Sequence, residues 1–197
     1  MTSKTFVAVF LFVVLPVCFA KSSSSTTHAS NNNVPDAQSA ITISKALDYW
    51  ISVTESEIVP AAEAMPEEKY SFAPTGGEFS GVRTFGQQVK HLAANNYRMA
   101  AYISGRTPSK NEESETAPAG IQSKEQIVNY VKSSFVALHG AVALIGPENM
   151  LQPLGLPFKQ NTRVQLAIDA VAHSYDHYGQ MVEYLRMNGI VPPASRK

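Results

Sequence analysis

Two histidines four residues apart, in the run His173-Ser-Tyr-Asp-His177, are the residues of this chain best suited by type and spacing to do chemistry. On a helix, an i, i+4 pair shares one face about one turn apart. Two imidazoles placed this way can offer ring nitrogens to a single metal ion. In the zinc-protease form of the motif, Glu follows the first His directly and acts as general base. Ser174 occupies that position here, which excludes that chemistry. No Glu-x-x-His pair of the di-iron carboxylate kind is present either.

A working site needs a third ligand, and the remaining imidazoles are His28, His91 and His139. His28 lies in a Ser/Thr/Asn-rich stretch and is expected to be solvent-exposed. His91 falls midway along a helical pattern, with Gln88 and Asn95 on the same flank. His139 falls near the end of another, beside Gly140. Spacing alone favours His91 only slightly, because either ring could point inward.

The elements that must position these rings are helices. Ile43, Leu47, Trp50, Ile51, Thr54 and Ile58 recur at three- and four-residue steps and predict a first helix over 39–64, kinked near Pro60. Thr84 with Gln87 forms a capping box opening a second helix, with Phe85, Val89, Leu92, Asn96, Met99 and Ile103 on one stripe and Gly105 as its stop. Residues 106–120 read as a polar loop. Ser123 with Gln126 caps a third helix, which Gly146-Pro147 ends; Asn161 or Thr162 caps a fourth, running to Asn188. No Val/Ile/Thr alternation predicts a strand. The expected fold is all-α, an antiparallel four-helix bundle.

On the fourth helix Val164, Ile168, Val171, Tyr175, Tyr178, Val182 and Leu185 form the main apolar stripe. His173 and His177 lie on a shoulder with Leu166, Ala170, Met181 and Tyr184, expected to be partly buried against a neighbouring helix. Tyr49, Trp50, Tyr175 and Tyr178 are expected in the core. The connection YSFAPTGGEFSG either roofs the site or simply joins two helices. Arg186 is expected to pair with Glu183 or with the chain end.

Whole-chain properties narrow the function. The 197 residues include 16 Lys plus Arg and 16 Asp plus Glu, so the formal net charge is zero. Neither a nucleic-acid footprint nor a polybasic membrane patch is present, and the expected partner is a small molecule. Lys4, an apolar run from Phe6 to Val17, and small residues at Cys18 and Ala20 predict a secretory signal over 1–20. That run is too short to span a bilayer, so no stable membrane insertion is expected after cleavage. Acylation at Cys18 is the alternative, opposed by bulky Val17. Cleavage after Ala20 removes the sole cysteine, leaving no disulfide, thiolate ligand or cysteine nucleophile. Residues 21–38 predict a tether and 39–197 the bundle domain, with a periplasmic or extracellular location.

The chain resembles the DinB family, also called DinB/YfiT-like. The resemblance rests on MPEEKYSFAPTGGEFSGVRTFGQQVKHLA and, more specifically, on DAVAHSYDHYGQMVEYLRMNGIVPPASR with its paired His, Gly179-Gln180, Tyr184-Leu185-Arg186 and Pro192-Pro193. It implies a four-helix bundle holding one divalent metal through a histidine on the second helix and the H-x-x-x-H pair on the fourth. Those positions are His91, His173 and His177; His139 gains no role. Three neutral imidazoles leave coordination positions for water or substrate. By donor type Zn or Ni lead, followed by Fe, Mn and Cu. Asn95, Asp176 and Gln180 are available to orient the rings. Family members include thiol transferases and proteins described as hydrolases; export weakens the transferase reading, because small thiol cofactors are chiefly cytosolic. A non-catalytic metal- or small-ligand-binding bundle, as a homodimer, is the second class, and a metal-free scaffold the third.

Overall fold

The computed structural model describes residues 41–155 and 161–197. The expectations for the signal at 1–20, for Cys18, and for the tether with His28 lie outside the described residues.

Four long helices carry the fold: α1 (Ile43–Ala64), α2 (Phe85–Ile103), α4 (Lys124–Val142) and α5 (Arg163–Met187); α3 (Lys110–Glu113) is a single short turn. Each long helix begins where a hydroxyl satisfies free backbone N–H groups. Thr42 caps α1. Thr84/Gln87, Ser123/Gln126 and Thr162/Gln165 form full capping boxes on α2, α4 and α5. A further box, Ser109/Glu112, opens α3 inside the stretch expected to be loop. The first helix starts later than expected, at Ile43 rather than 39, and continues through Pro60 to Ala64. Among the described residues there is no strand, and no helix is long and apolar enough to cross a membrane.

Packing places α2 against α4 and α5, and α1 against the same two helices. Bonds at the ends of the α2–α5 seam, Gln88 to Gln180 and the Arg163 side chain to the Ile103 carbonyl, show that these helices run antiparallel. Asp48 with His139 and Glu63 with Lys132 show the same for α1 and α4. Ile51, Ile58, Phe85, Leu92, Phe135, Leu138, Leu166 and Leu185 are fully enclosed between them.

One face assignment differs from expectation. The buried residues of α5 are Leu166, Ala167, Ala170, Ser174, His177, Met181, Tyr184 and Leu185. This is the shoulder that carries the histidines. Of the more hydrophobic stripe only Leu185 is fully buried; Ile168 is 57% exposed, and Tyr175 and Tyr178 are half-buried. Ala167, Ala170 and Ser174 let the α5 backbone approach its neighbours closely, so small volume rather than summed hydrophobicity selects the inward face. Tyr49 and Trp50, expected in the core, are 62% and 52% exposed and pack edge to face on one another at 5.5 Å. Each falls beside, not on, the buried line of Leu47, Ile51, Thr54 and Ile58.

The connection between α1 and α2 packs down rather than hanging free. Tyr70 donates its hydroxyl to the Ala62 carbonyl, Phe72 stacks edge to face on Tyr184, and the Tyr184 hydroxyl donates to the Arg83 carbonyl. Arg186 pairs with Glu183 at 2.9 Å.

Candidate metal centre

α2 contributes His91 and α5 contributes His173 and His177, and the antiparallel seam brings the three rings together. Nε2 of His173 lies 3.2 Å from Nε2 of His91 and 3.1 Å from Nε2 of His177. Ring centroids are 4.4–5.1 Å apart. Among the described residues these three form the one group of His, Cys, Asp or Glu that could hold a metal ion. His91 is 7% exposed and His177 5%, while His173 is half-buried.

The second ring nitrogen of each histidine is also engaged. His91 Nδ1 donates to the Glu115 carbonyl at 2.7 Å. His177 Nδ1 donates to Gln88 Oε1 at 2.7 Å. Both bonds place the proton on Nδ1 and leave a bare lone pair on Nε2. His173 is held differently. Arg98 Nη2 donates to Asn95 Oδ1 at 2.7 Å, which turns the Asn95 amino group toward His173 Nδ1 at 3.2 Å. The proton of His173 is therefore on Nε2.

That arrangement tests whether a cation fits. Two bare nitrogens, on His91 and His177, face one N–H, on His173. The single hydrogen can satisfy only one of them, so the cluster is one positive partner short. Two Zn–N bonds of about 2.0–2.1 Å at a tetrahedral angle span about 3.3 Å between nitrogens, close to the 3.1 and 3.2 Å separations here. The donor set fits a divalent ion of the nitrogen-preferring kind. For His173 to join through Nε2, its proton must move to Nδ1 and the Asn95 amide must turn to accept it.

Electrostatics keep the rings neutral. Burial, helped by the neighbouring imidazoles, holds His173 and His177 down at about 4. Burial also lowers His91, only partly offset by its bond to the Glu115 carbonyl. At neutral pH all three are uncharged, as ligation requires.

Of the orienting residues expected from sequence, Asn95 touches His173 directly, whereas Gln180 and Asp176 act at a distance: Gln88 Nε2 donates to Gln180 Oε1, and Gln180 Nε2 donates to Asp176 Oδ2. Gln88, three residues before His91 on the flank noted from sequence, supports His177 rather than its own helix's histidine. The Glu115 carbonyl, from the loop after α3, and Arg98 were not anticipated. A backbone group in a loop leaves no sequence signal, and Arg98 acts only through Asn95. His139 stands apart, bridging Asp48 and Glu55 between α4 and α1. Beside the cluster, with Gln88 as shared wall, a cleft of about 540 Å³ is lined by Arg83, Lys90, Gln87 and Gln180 among others.

A family model described as the DinB superfamily matches residues 51–181. That span starts within α1, ends within α5 and contains all three histidines. No curated protein matches the chain.

Proposed function

This chain belongs to the DinB superfamily, and on that premise we propose that it is an exported metal-dependent enzyme, hydrolytic in the first instance, with His91, His173 and His177 as the ligands of one divalent ion. The observation that carries the reading is the convergence of three Nε2 atoms from two helices, short of one positive partner. When bound, such an ion supplies Lewis acidity that makes water, or a thiol, a competent nucleophile near neutral pH. The chain's own contribution is to keep the rings neutral by burial, to aim His91 through the Glu115 carbonyl and His177 through Gln88, and to leave half-buried His173 as the accessible side. Zn and Ni suit the all-imidazole set best, ahead of Fe, Mn and Cu. Thiol transfer is the second chemistry, disfavoured by export.

The low exposure of His91 and His177 supports a different reading: a bundle that binds metal or a small ligand without turnover. The two readings separate in one assay. Protein loaded with Zn²⁺ or Ni²⁺ is tested against aryl esters, anilides, and a thiol with an electrophilic acceptor. Turnover that disappears in His173→Ala supports the enzyme. An intact, metal-filled protein inert toward all three classes overturns it in favour of binding alone. For export, the secreted full-length chain is expected to begin at Lys21; a retained Met1 overturns that part.

A further inference from the structure

Three hydrogen bonds run in series from the surface to the cluster. Gln180 Nε2 donates to Asp176 Oδ2 at 3.1 Å, Gln88 Nε2 donates to Gln180 Oε1 at 2.6 Å, and His177 Nδ1 donates to Gln88 Oε1 at 2.7 Å. A primary amide has one accepting end and one donating end, so it transmits polarity. An ionised carboxylate only accepts. Asp176 therefore takes the amino end of Gln180 and leaves the Gln180 oxygen for Gln88. That oxygen takes the amino end of Gln88 and leaves the Gln88 oxygen for His177. A ring nitrogen facing a carbonyl oxygen must carry the proton.

We infer that exposed Asp176 is a positioning residue: acting through Gln180 and Gln88, it holds the proton of His177 on Nδ1 and so keeps the Nε2 lone pair aimed at His91 and His173. Reversing the chain would turn the Gln180 oxygen onto the carboxylate. The other histidine of the pair shows the same device with opposite sign. Arg98 only donates, so it takes the oxygen of Asn95, and the amino end of Asn95 faces His173 Nδ1. An anion and a cation thus write opposite tautomers on two imidazoles one turn apart. The purpose of the Asp176 chain rests on the metal reading; the tautomer it sets does not.

The test uses metal-free full chain with ¹⁵N-labelled histidine at pH 7.5, where long-range ¹H–¹⁵N correlations distinguish Nδ1–H from Nε2–H imidazole. Wild type is expected to show His177 in the Nδ1–H form. Asp176→Lys places a pure donor at the head of the chain and is expected to move the proton to Nε2. Asp176→Asn offers either end and is expected to give a mixture. D176N/Q180E restores a carboxylate one link closer at wild-type net charge and is expected to recover Nδ1–H. Glu183→Lys, an equal charge reversal on the same helix outside the chain, is expected to leave the tautomer unchanged. Zn²⁺ affinity, by competition with a chromophoric chelator, is expected to fall about tenfold more in D176K than in E183K, within the range for loss of an orienting partner. A His177 that stays Nδ1–H in D176K, or is not recovered in D176N/Q180E, overturns the inference. If the tautomers follow the series but wild type binds no Zn²⁺, the inference stands and the metal-enzyme reading fails.

Discussion

Asn95→Asp should tighten metal binding, contrary to what loss of a native side chain near a site usually does. In the structure the Asn95 oxygen is held by Arg98 and its amino group faces His173 Nδ1. Recruiting His173 through Nε2 means giving up both bonds. The first is charge-assisted and contributes about 1.5–3 kcal/mol; the second is neutral and long and contributes about 0.5–1 kcal/mol. The turned amide and solvent return most of this, leaving a penalty of about 1–2 kcal/mol. A carboxylate at this position keeps the Arg98 bond and also accepts from Nδ1–H, which removes the penalty. Zn²⁺ affinity, by chelator competition, should rise about 5- to 30-fold, since 1.4 kcal/mol is tenfold. In the metal-free variant His173 should convert to the Nδ1–H form. Unchanged or weaker binding in Asn95→Asp would refute the reasoning, as would a wild-type His173 already protonated on Nδ1.

Other consequences follow from the packing. Burial alone would lower His139, but its bonds to Asp48 and Glu55, and their charges, outweigh burial and leave it raised above 6.5. Its contribution is then full below pH 6.5 and lost as pH rises through the raised value. With Glu55 a third exposed and Asp48 half exposed, screening limits it to about 0.5–1 kcal/mol. Urea unfolding should show His139→Asn less stable than wild type at pH 6 and equal to it at pH 9; a gap that persists at pH 9 contradicts this. Phe135→Ala should cost about 3–5 kcal/mol in the same assay, because Phe135 is fully buried; a loss under about 1.5 kcal/mol would mean a core much looser than described. A Cβ at Gly86 would lie 3.1 Å from the Tyr70 ring and 3.2 Å from its carbonyl, which Gly86 N–H already holds at 2.9 Å. Gly86→Ala should therefore destabilise by about 1 kcal/mol despite better helix propensity; a stabilised variant would show that the Tyr70 loop gives way.

What the sequence revealed was local. Thr84 with Gln87 and Ser123 with Gln126 announce helix starts because each box closes within four residues. His173 and His177 announce a shared face for the same reason. The choice between His91 and His139 was not readable from spacing, since it depends on which helix each ring meets. His91 meets α5, whereas His139 meets Asp48 and Glu55 on α1. Ranking the faces of α5 by hydrophobicity gave the wrong inward face, because Ala167, Ala170 and Ser174 govern how closely helices approach while adding little to an apolar score. Trp50, placed on the apolar stripe by its spacing, and Tyr49 misled likewise: both fall beside the buried line of Leu47, Ile51, Thr54 and Ile58 and stay exposed. Glu115 supplies a backbone carbonyl, and a carbonyl has no residue type to read.

X-ray absorption at the zinc edge of the Zn²⁺-loaded protein tests most directly whether the three imidazoles share one ion. Three imidazole nitrogens at about 2.0–2.1 Å are expected, with one fewer in each of His91→Ala, His173→Ala and His177→Ala. A shell with fewer than two imidazoles in wild type, or one unchanged by His91→Ala, would contradict the account.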